Sequence, residues 1–356
     1  MLFFRYSAHP IIRTPARWGV VGAILVVAGA LWVRDARCNS RTPAAAAPSA
    51  QSISNYVSAR VPPQTQASRP STHEEKLAAQ DKAMLAGLQG QLLRESLPPS
   101  PLLGGRQVTA WVYLPPGYDK STTRYPVAYL LHGAPGEPRD LFVNAQAHRV
   151  AEQLITQGKV APMILVCFDA FGPKGINDVQ DYLDRSDGSY SMESFFVQTM
   201  LPWVDGHFRT RPDAQSRALV GFSAGGYGAA NLGAKHPDLF KVVASISGFF
   251  DPNDDPQNMT RLLGPKSKLW EDNSPLQRAR ELPRGLRLHF YMDCGRDDSL
   301  YHEFVKMQRE LQARGADYES HSLPGDHTWD FVHSRLFAAL QFCDQRWKSL
   351  SNSPTG

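Results

Sequence analysis

Cysteine is scarce in this chain: four residues among 356, none of them in a C-x-x-C pair. Zinc-ribbon and thioredoxin-like readings need thiols paired at close spacing, so both fall away. Cys167 and Cys294 stand in apolar runs and read as small buried hydrophobes rather than as a disulfide or a reactive thiol. A metal-ligand cluster, a glycine fingerprint for a nucleotide and an internal repeat are also missing, so neither metal nor organic cofactor is expected. Basic excess is lacking where it would matter. The net charge is +4, yet residues 1–41 hold six arginines and one aspartate, which leaves −1 for everything that follows. A nucleic-acid partner would want a basic face on the folded domain, and this distribution argues against one.

What is present is ordinary for a globular protein, with 42% hydrophobic and 20% charged residues. A chain of this length buries a sizeable core without covalent staples. Its organisation changes several times. Residues 1–17 form a basic segment carrying Arg5, Arg13 and Arg17. Residues 18–33 are uncharged and mostly Val, Ala, Leu, Ile and Gly, a little short for a full membrane span and long for a signal-peptide core. The arginines before this run favour a cytoplasmic N-terminus, while Arg34, Arg37 and Arg41 after it weaken that signal. A single N-terminal hydrophobic helix is therefore expected. As a signal-anchor it would tether the chain to the cell membrane, with the globular part outside the cytoplasm. As a cleaved signal peptide it would release a secreted or periplasmic protein. Residues 34–72, rich in Ala, Pro and Ser, read as a disordered linker. Leu77, Met84, Leu85 and Leu88 recur at helical spacing, so 73–97 is expected to be an approach helix to a domain over 98–350.

Within that domain apolar runs alternate with amphipathic ones. Strands are expected at 108–114, 125–131, 163–169, 218–221, 242–247, 286–293 and 318–323. Helices are expected at 142–157, 192–207, 224–235, 303–314 and 331–347. This alternation predicts an α/β fold with a mostly parallel central sheet covered by helices on both faces. Chemistry in such sheets gathers at the carboxyl ends of the strands.

Four segments stand at such ends. Gly221-Phe222-Ser223-Ala224-Gly225 follows a short apolar strand and opens a helical run rich in small residues. A sharp strand-to-helix turn lifts a serine oxygen above the sheet, and the helix start aims amides at developing negative charge. Ser223 is thus the candidate nucleophile. His132-Gly133-Ala134-Pro135-Gly136 follows another apolar strand. An oxyanion needs two amide donors, for which Ala224 and Ala134 are the candidates. His132 reads as a structural histidine, because it precedes the serine whereas this fold orders its triad Ser, acid, His. Asp293-Cys294-Gly295-Arg296-Asp297-Asp298 ends a strand and offers the carboxylate that would orient a histidine. Asp298 is the first choice there and Asp297 the rival. Pro324-Gly325-Asp326-His327-Thr328-Trp329 places His327 after both, where its pKa near 6.5 suits it to take and return the serine's proton. The competing His302, His321 and His333 lie in strand or helix patterns.

With Tyr113-Leu114-Pro115-Pro116-Gly117-Tyr118 added, these segments resemble the esterase D family, an α/β-hydrolase family. It includes feruloyl esterases, S-formylglutathione hydrolases, enterochelin esterases and mycolyltransferases. The likeness covers roughly 102–347. It implies a nucleophile at Ser223, oxyanion amides at Ala134 and Ala224, a histidine at His327, and, from Gly-x-x-Asp falling on Gly295 and Asp298, the acid at Asp298. One departure is Asp330-Phe331-Val332, where many extracellular relatives carry a second aromatic. Hydrolysis of a carboxylic ester, of thioester or feruloyl type among others, is the function the resemblance implies. The partner would be a small-molecule or envelope ester. Acyl transfer of the mycolyltransferase type uses the same residues, and a non-catalytic, membrane-tethered binding protein on a hydrolase fold is the alternative of another class.

Overall fold

The computed structural model describes residues 73–352, so the segments expected at 1–17, 18–33 and 34–72 lie outside the described residues. Among the described residues no helix is long and apolar enough to cross a membrane.

The domain opens with α1 (His73–Leu85), β1 (Gln91–Ser96), β2 (Thr109–Leu114) and β3 (Val127–Leu131). Next come α2 (Pro138–Val143), α3 (Ala147–Thr156) and β4 (Ile164–Phe168), then a small hairpin of β5 (Phe171–Gly172) and β6 (Gly175–Val179). Helix α4 (Met192–Phe195) runs through a widened turn into α5 (Leu201–His207), followed by β7 (Arg217–Phe222), α6 (Ala224–Lys235) and β8 (Val242–Ile246). Three short helices, α7 (Pro256–Leu263), α8 (Lys268–Asp272) and α9 (Pro275–Glu281), precede β9 (His289–Gly295), α10 (Tyr301–Arg314), β10 (Asp317–Leu323) and the long α11 (Trp329–Ser351).

Eight strands form one sheet in the order β1-β2-β4-β3-β7-β8-β9-β10. The pairs β1–β2 and β2–β4 are antiparallel, and every other neighbour pair is parallel. The all-apolar strands resolve into two faces because successive side chains point oppositely. Tyr129, Val166, Leu219, Val243 and Phe290 pack on one side against Phe195 and Phe196 near α4, Leu232 of α6 and Phe304 of α10. Leu130, Cys167, Val220, Ala244 and Tyr291 pack on the other against Phe142 of α2, Leu154 of α3 and Leu336 and Leu340 of α11. The expected two-sided α/β sheet is therefore present. Cys167 and Cys294 are buried free thiols, as expected for small core residues, and Cys343 is buried likewise.

Two expectations need correction. The approach helix read over 73–97 ends at Leu85, and Gln91–Ser96 is instead an edge strand paired with β2. The cause is remote in sequence. The carboxylate of Glu152 in α3 accepts the amides of Gln89 and Gly90 at 2.9 and 2.7 Å, so these donors leave the helical pattern. Gly90 has no alternative, since a Cβ there would come within 2.4 Å of the Leu114 carbonyl oxygen. The helix read over 142–157 is two helices, broken where Gln146 takes φ 52°.

At the β9–β10 edge a fully buried carboxylate organises the sheet's junction with α11. Asp293 accepts from Arg335 Nε at 2.5 Å and pairs with His321 Nδ1 at 2.9 Å. Removing the guanidinium strands a buried charge, and breaking such a pair typically costs about 3 kcal/mol. Arg335→Met is expected to lower the unfolding free energy by about that amount, measured by urea denaturation.

Candidate active site

Ser223 occupies the turn between β7 and α6, with φ 56° and ψ −121°. A serine in that region is strained by roughly 1–3 kcal/mol and persists only where its surroundings fix it. They do so on both sides. Its amide donates to the Ile246 carbonyl at 3.0 Å, and its own carbonyl accepts the Tyr227 amide at 3.0 Å, starting α6. The turn is so tight that a Cβ on Gly221 would lie 1.9 Å from the Gly225 carbonyl oxygen, which is why glycine stands there.

Asp298 and His327 converge from two other strand ends. His327 Nδ1 lies 2.9 Å from Asp298 Oδ2, and the Leu300 amide donates to Asp298 Oδ1 at 2.9 Å. The loops carrying them interlock, since the Asp297 amide donates to the Gly325 carbonyl at 2.9 Å. Burial pushes the Asp298 carboxyl upward, but the hydrogen bonds from His327 and Leu300 outweigh it and hold the group below its ordinary value. Asp298 therefore stays ionised against the imidazole. Asp297 points its side chain to solvent. The His327 ring lies against Phe222, centroids 4.7 Å apart, and Phe222 in turn packs against Trp329 at 5.1 Å. Phe222 thus braces the ring from the position next to the serine, a role hidden in the sequence by the variable place it fills in G-x-S-x-G.

Two cavities meet at Ser223. One, of about 440 Å³, is lined by Gly133, Phe222, His327 and Trp329 among others. The second, of about 410 Å³, is lined by Ala224, Val179, Asp181, Phe249, Asp254 and Arg261 among others. Ala134, Pro135 and Ser223 border both. The structure thus brings together all five residues singled out from the sequence: Ser223, Asp298, His327, Ala134 and Ala224. The other histidines go elsewhere. His302 and His333 bond backbone carbonyls of Ser299 and Ala145, and His321 serves Asp293. Sequence reasoning missed the acidic wall of the second cavity. Asp255-Pro256, a capping residue before a proline at a helix start, was a signal for α7, which contributes Asn258 and Arg261 to it.

His132 is a structural element beneath the loop of Ala134. Its Nε2 accepts the Ala170 amide at 3.0 Å, and its Nδ1 faces the Gly133 carbonyl at 2.8 Å, which fixes a neutral ring protonated at Nδ1. Burial drives its pKa down to about 4, and burial does the same to His148.

A family model described as "Putative esterase" matches residues 100–343. The chain is 32% identical over 151 residues to an endo-1,4-beta-xylanase/feruloyl esterase of Xylanibacter ruminicola, covering 40% of this chain and 20% of that protein. It is 28% identical over 255 residues to an esterase of Mycobacterium tuberculosis, covering 61% and 52% respectively. The chain therefore spans only about a fifth and about half of these two relatives. Among solved structures, a ferulic acid esterase superposes with a TM-score of 0.65 at 26% identity, covering 72% of this chain and 99% of that one. The sheet and its helices are those of the α/β-hydrolase fold.

The two neutral histidines make the fold acid-sensitive. Between pH 6.5 and about 4 the unfolded chain binds protons at these positions that the native state refuses, so stability falls as pH drops through that window. Thermal unfolding followed from pH 7.5 to 5 should show this decline, with a flatter slope in His132→Gln.

Proposed function

Because the chain belongs to the putative esterase family, we propose that it is a serine hydrolase that cleaves a carboxylic ester through an acyl-enzyme on Ser223. The observation that carries this reading is the His327–Asp298 hydrogen bond, 2.9 Å long, opening on the cavity that His327 shares with the strained Ser223. Ser223 Oγ attacks the ester carbonyl as His327 takes its proton. Asp298 holds the ring by Nδ1 and stabilises the imidazolium. The amides of Ala134 and Ala224 receive the oxyanion of the tetrahedral intermediate. His327 then returns the proton to the departing alcohol, and water, activated by the same ring, releases the acid. Apart from that water, each step uses side chains and amides of this chain.

The names of the relatives point to ester substrates, feruloyl esters among them. The basic segment 1–17 and the uncharged run 18–33 support an enzyme tethered to a membrane and acting outside the cytoplasm.

A fluorophosphonate probe should label the protein, and Ser223→Ala should abolish the label. Turnover of simple esters should fall by about 10³-fold or more in Ser223→Ala and His327→Ala, and by a similar order in Asp298→Asn, whose ring is left in the wrong tautomer. Retained labelling in Ser223→Ala would remove the serine from its role.

A further inference from the structure

The two cavities at Ser223 have different chemistry, and His327 decides which part of an ester enters each. The leaving oxygen must lie within reach of the histidine that protonates it, so the alcohol occupies the cavity His327 lines. The acyl group then extends into the other, which His327 does not border. Resting on the esterase reading above, we infer that this second cavity selects small acyl groups bearing a protonated amine, so that the preferred substrates are aminoacyl esters.

The wall of the cavity carries Asp181, Asp254 and Asp255. The one cation among its described lining residues, Arg261, is already engaged. Its Nη1 lies 2.9 Å from Asp178 Oδ1, its Nη2 lies 2.5 Å from Asn258 Oδ1, and it also donates to the Val179 carbonyl. Lys306 sits 3.9 Å from Asp254 but 2.5 Å from the buried Glu303, which takes its charge, and Lys266 is held by the Asn253 side-chain oxygen. His302 approaches Asp254 at 3.5 Å. Negative charge is therefore in excess on the cavity side.

Asp181 points to a ligand independently of the exposed acids. It is 3% exposed. Asn258 donates to its Oδ2, while Oδ1 accepts from no donor among the described residues. Burial, reinforced by Asp255, raises its pKa to about 7. A carboxylate kept this far from water is stabilised by a cation that arrives beside it, and an ammonium supplies both charge and hydrogen. Val179, Phe249 and Leu300 supply the apolar part of the wall, suited to a short aliphatic side chain. A fatty acyl chain would strip water from the carboxylates without replacing it, and an anionic acyl group would meet repulsion.

The chemistry balances with water as co-reactant. The Ser223 Oγ–acyl bond forms as the acyl–alkoxyl bond breaks, the serine's proton leaves on the alcohol, and water cleaves the aminoacyl-enzyme to the free amino acid.

Benzyl esters of alanine, N-acetylalanine, propionic acid and succinic acid share a leaving group and separate charge from shape. At pH 7 the alanine ester should exceed the propionate ester in kcat/KM by about tenfold, with N-acetylalanine and succinate below propionate. In Asp254→Asn and in Asp255→Asn, which keeps a side chain able to cap α7, the alanine-to-propionate ratio should fall about threefold each. Asp181→Asn should reduce it further where the variant folds. Turnover of the propionate ester equal to or faster than the alanine ester overturns this inference and leaves the esterase standing. No turnover of any ester, with no fluorophosphonate label, overturns both.

Discussion

The site depends on one residue held where residues of its kind rarely go. Ser223 takes a positive φ because its amide is fixed to Ile246 on the neighbouring strand and its carbonyl is committed to the first turn of α6. The backbone has no slack: Gly221 and Gly225 approach within a distance no Cβ tolerates, and Gly225 lies as close to the Leu131 carbonyl of β3. Strain is thus transferred from one side chain to the whole junction of β3, β7 and β8, which the two apolar cores clamp from either face. The hydroxyl stands clear of the sheet because the sheet cannot relax around it.

The sequence made the centre of the site legible and its walls obscure. Ser223 and Asp298 sit just past largely apolar strands and His327 just past the last strand, each near a glycine, so position identifies them together. The centre of the parallel sheet was legible because β3, β4 and β8 are apolar or nearly apolar runs. What failed depended on contacts far along the chain. Leu77, Met84, Leu85 and Leu88 suggest one continuous helix, and nothing near them tells that Glu152, more than sixty residues on, withdraws the amides of Gln89 and Gly90. The bracing of His327 by Phe222 is likewise a product of the fold.

Carboxylate–histidine contact is not distinctive by itself. Asp293 and His321 are 2.9 Å apart, as are Asp298 and His327. They differ in what else each carboxylate holds. Asp293 is bound by Arg335 and Tyr291 and serves the joint between the sheet and α11. Asp298 takes a loop amide and a half-exposed ring whose other nitrogen is free to face the cavity of Ser223. Five residues separate these two aspartates, one within β9 and one in the loop just past it, and that step divides a structural carboxylate from the candidate catalytic one.

The placement of Ser223 on the partition between two cavities has a consequence for the order of events. On the acyl-enzyme mechanism proposed above, an alcohol cleaved on one side departs without crossing the space its former acyl partner occupies. The vacated side, still faced by His327, then admits the next nucleophile while the covalent intermediate stays seated on the other. First product and second reactant would use the same doorway in turn, so the proposed mechanism is ping-pong by architecture, and whatever molecule wins that doorway would determine the product.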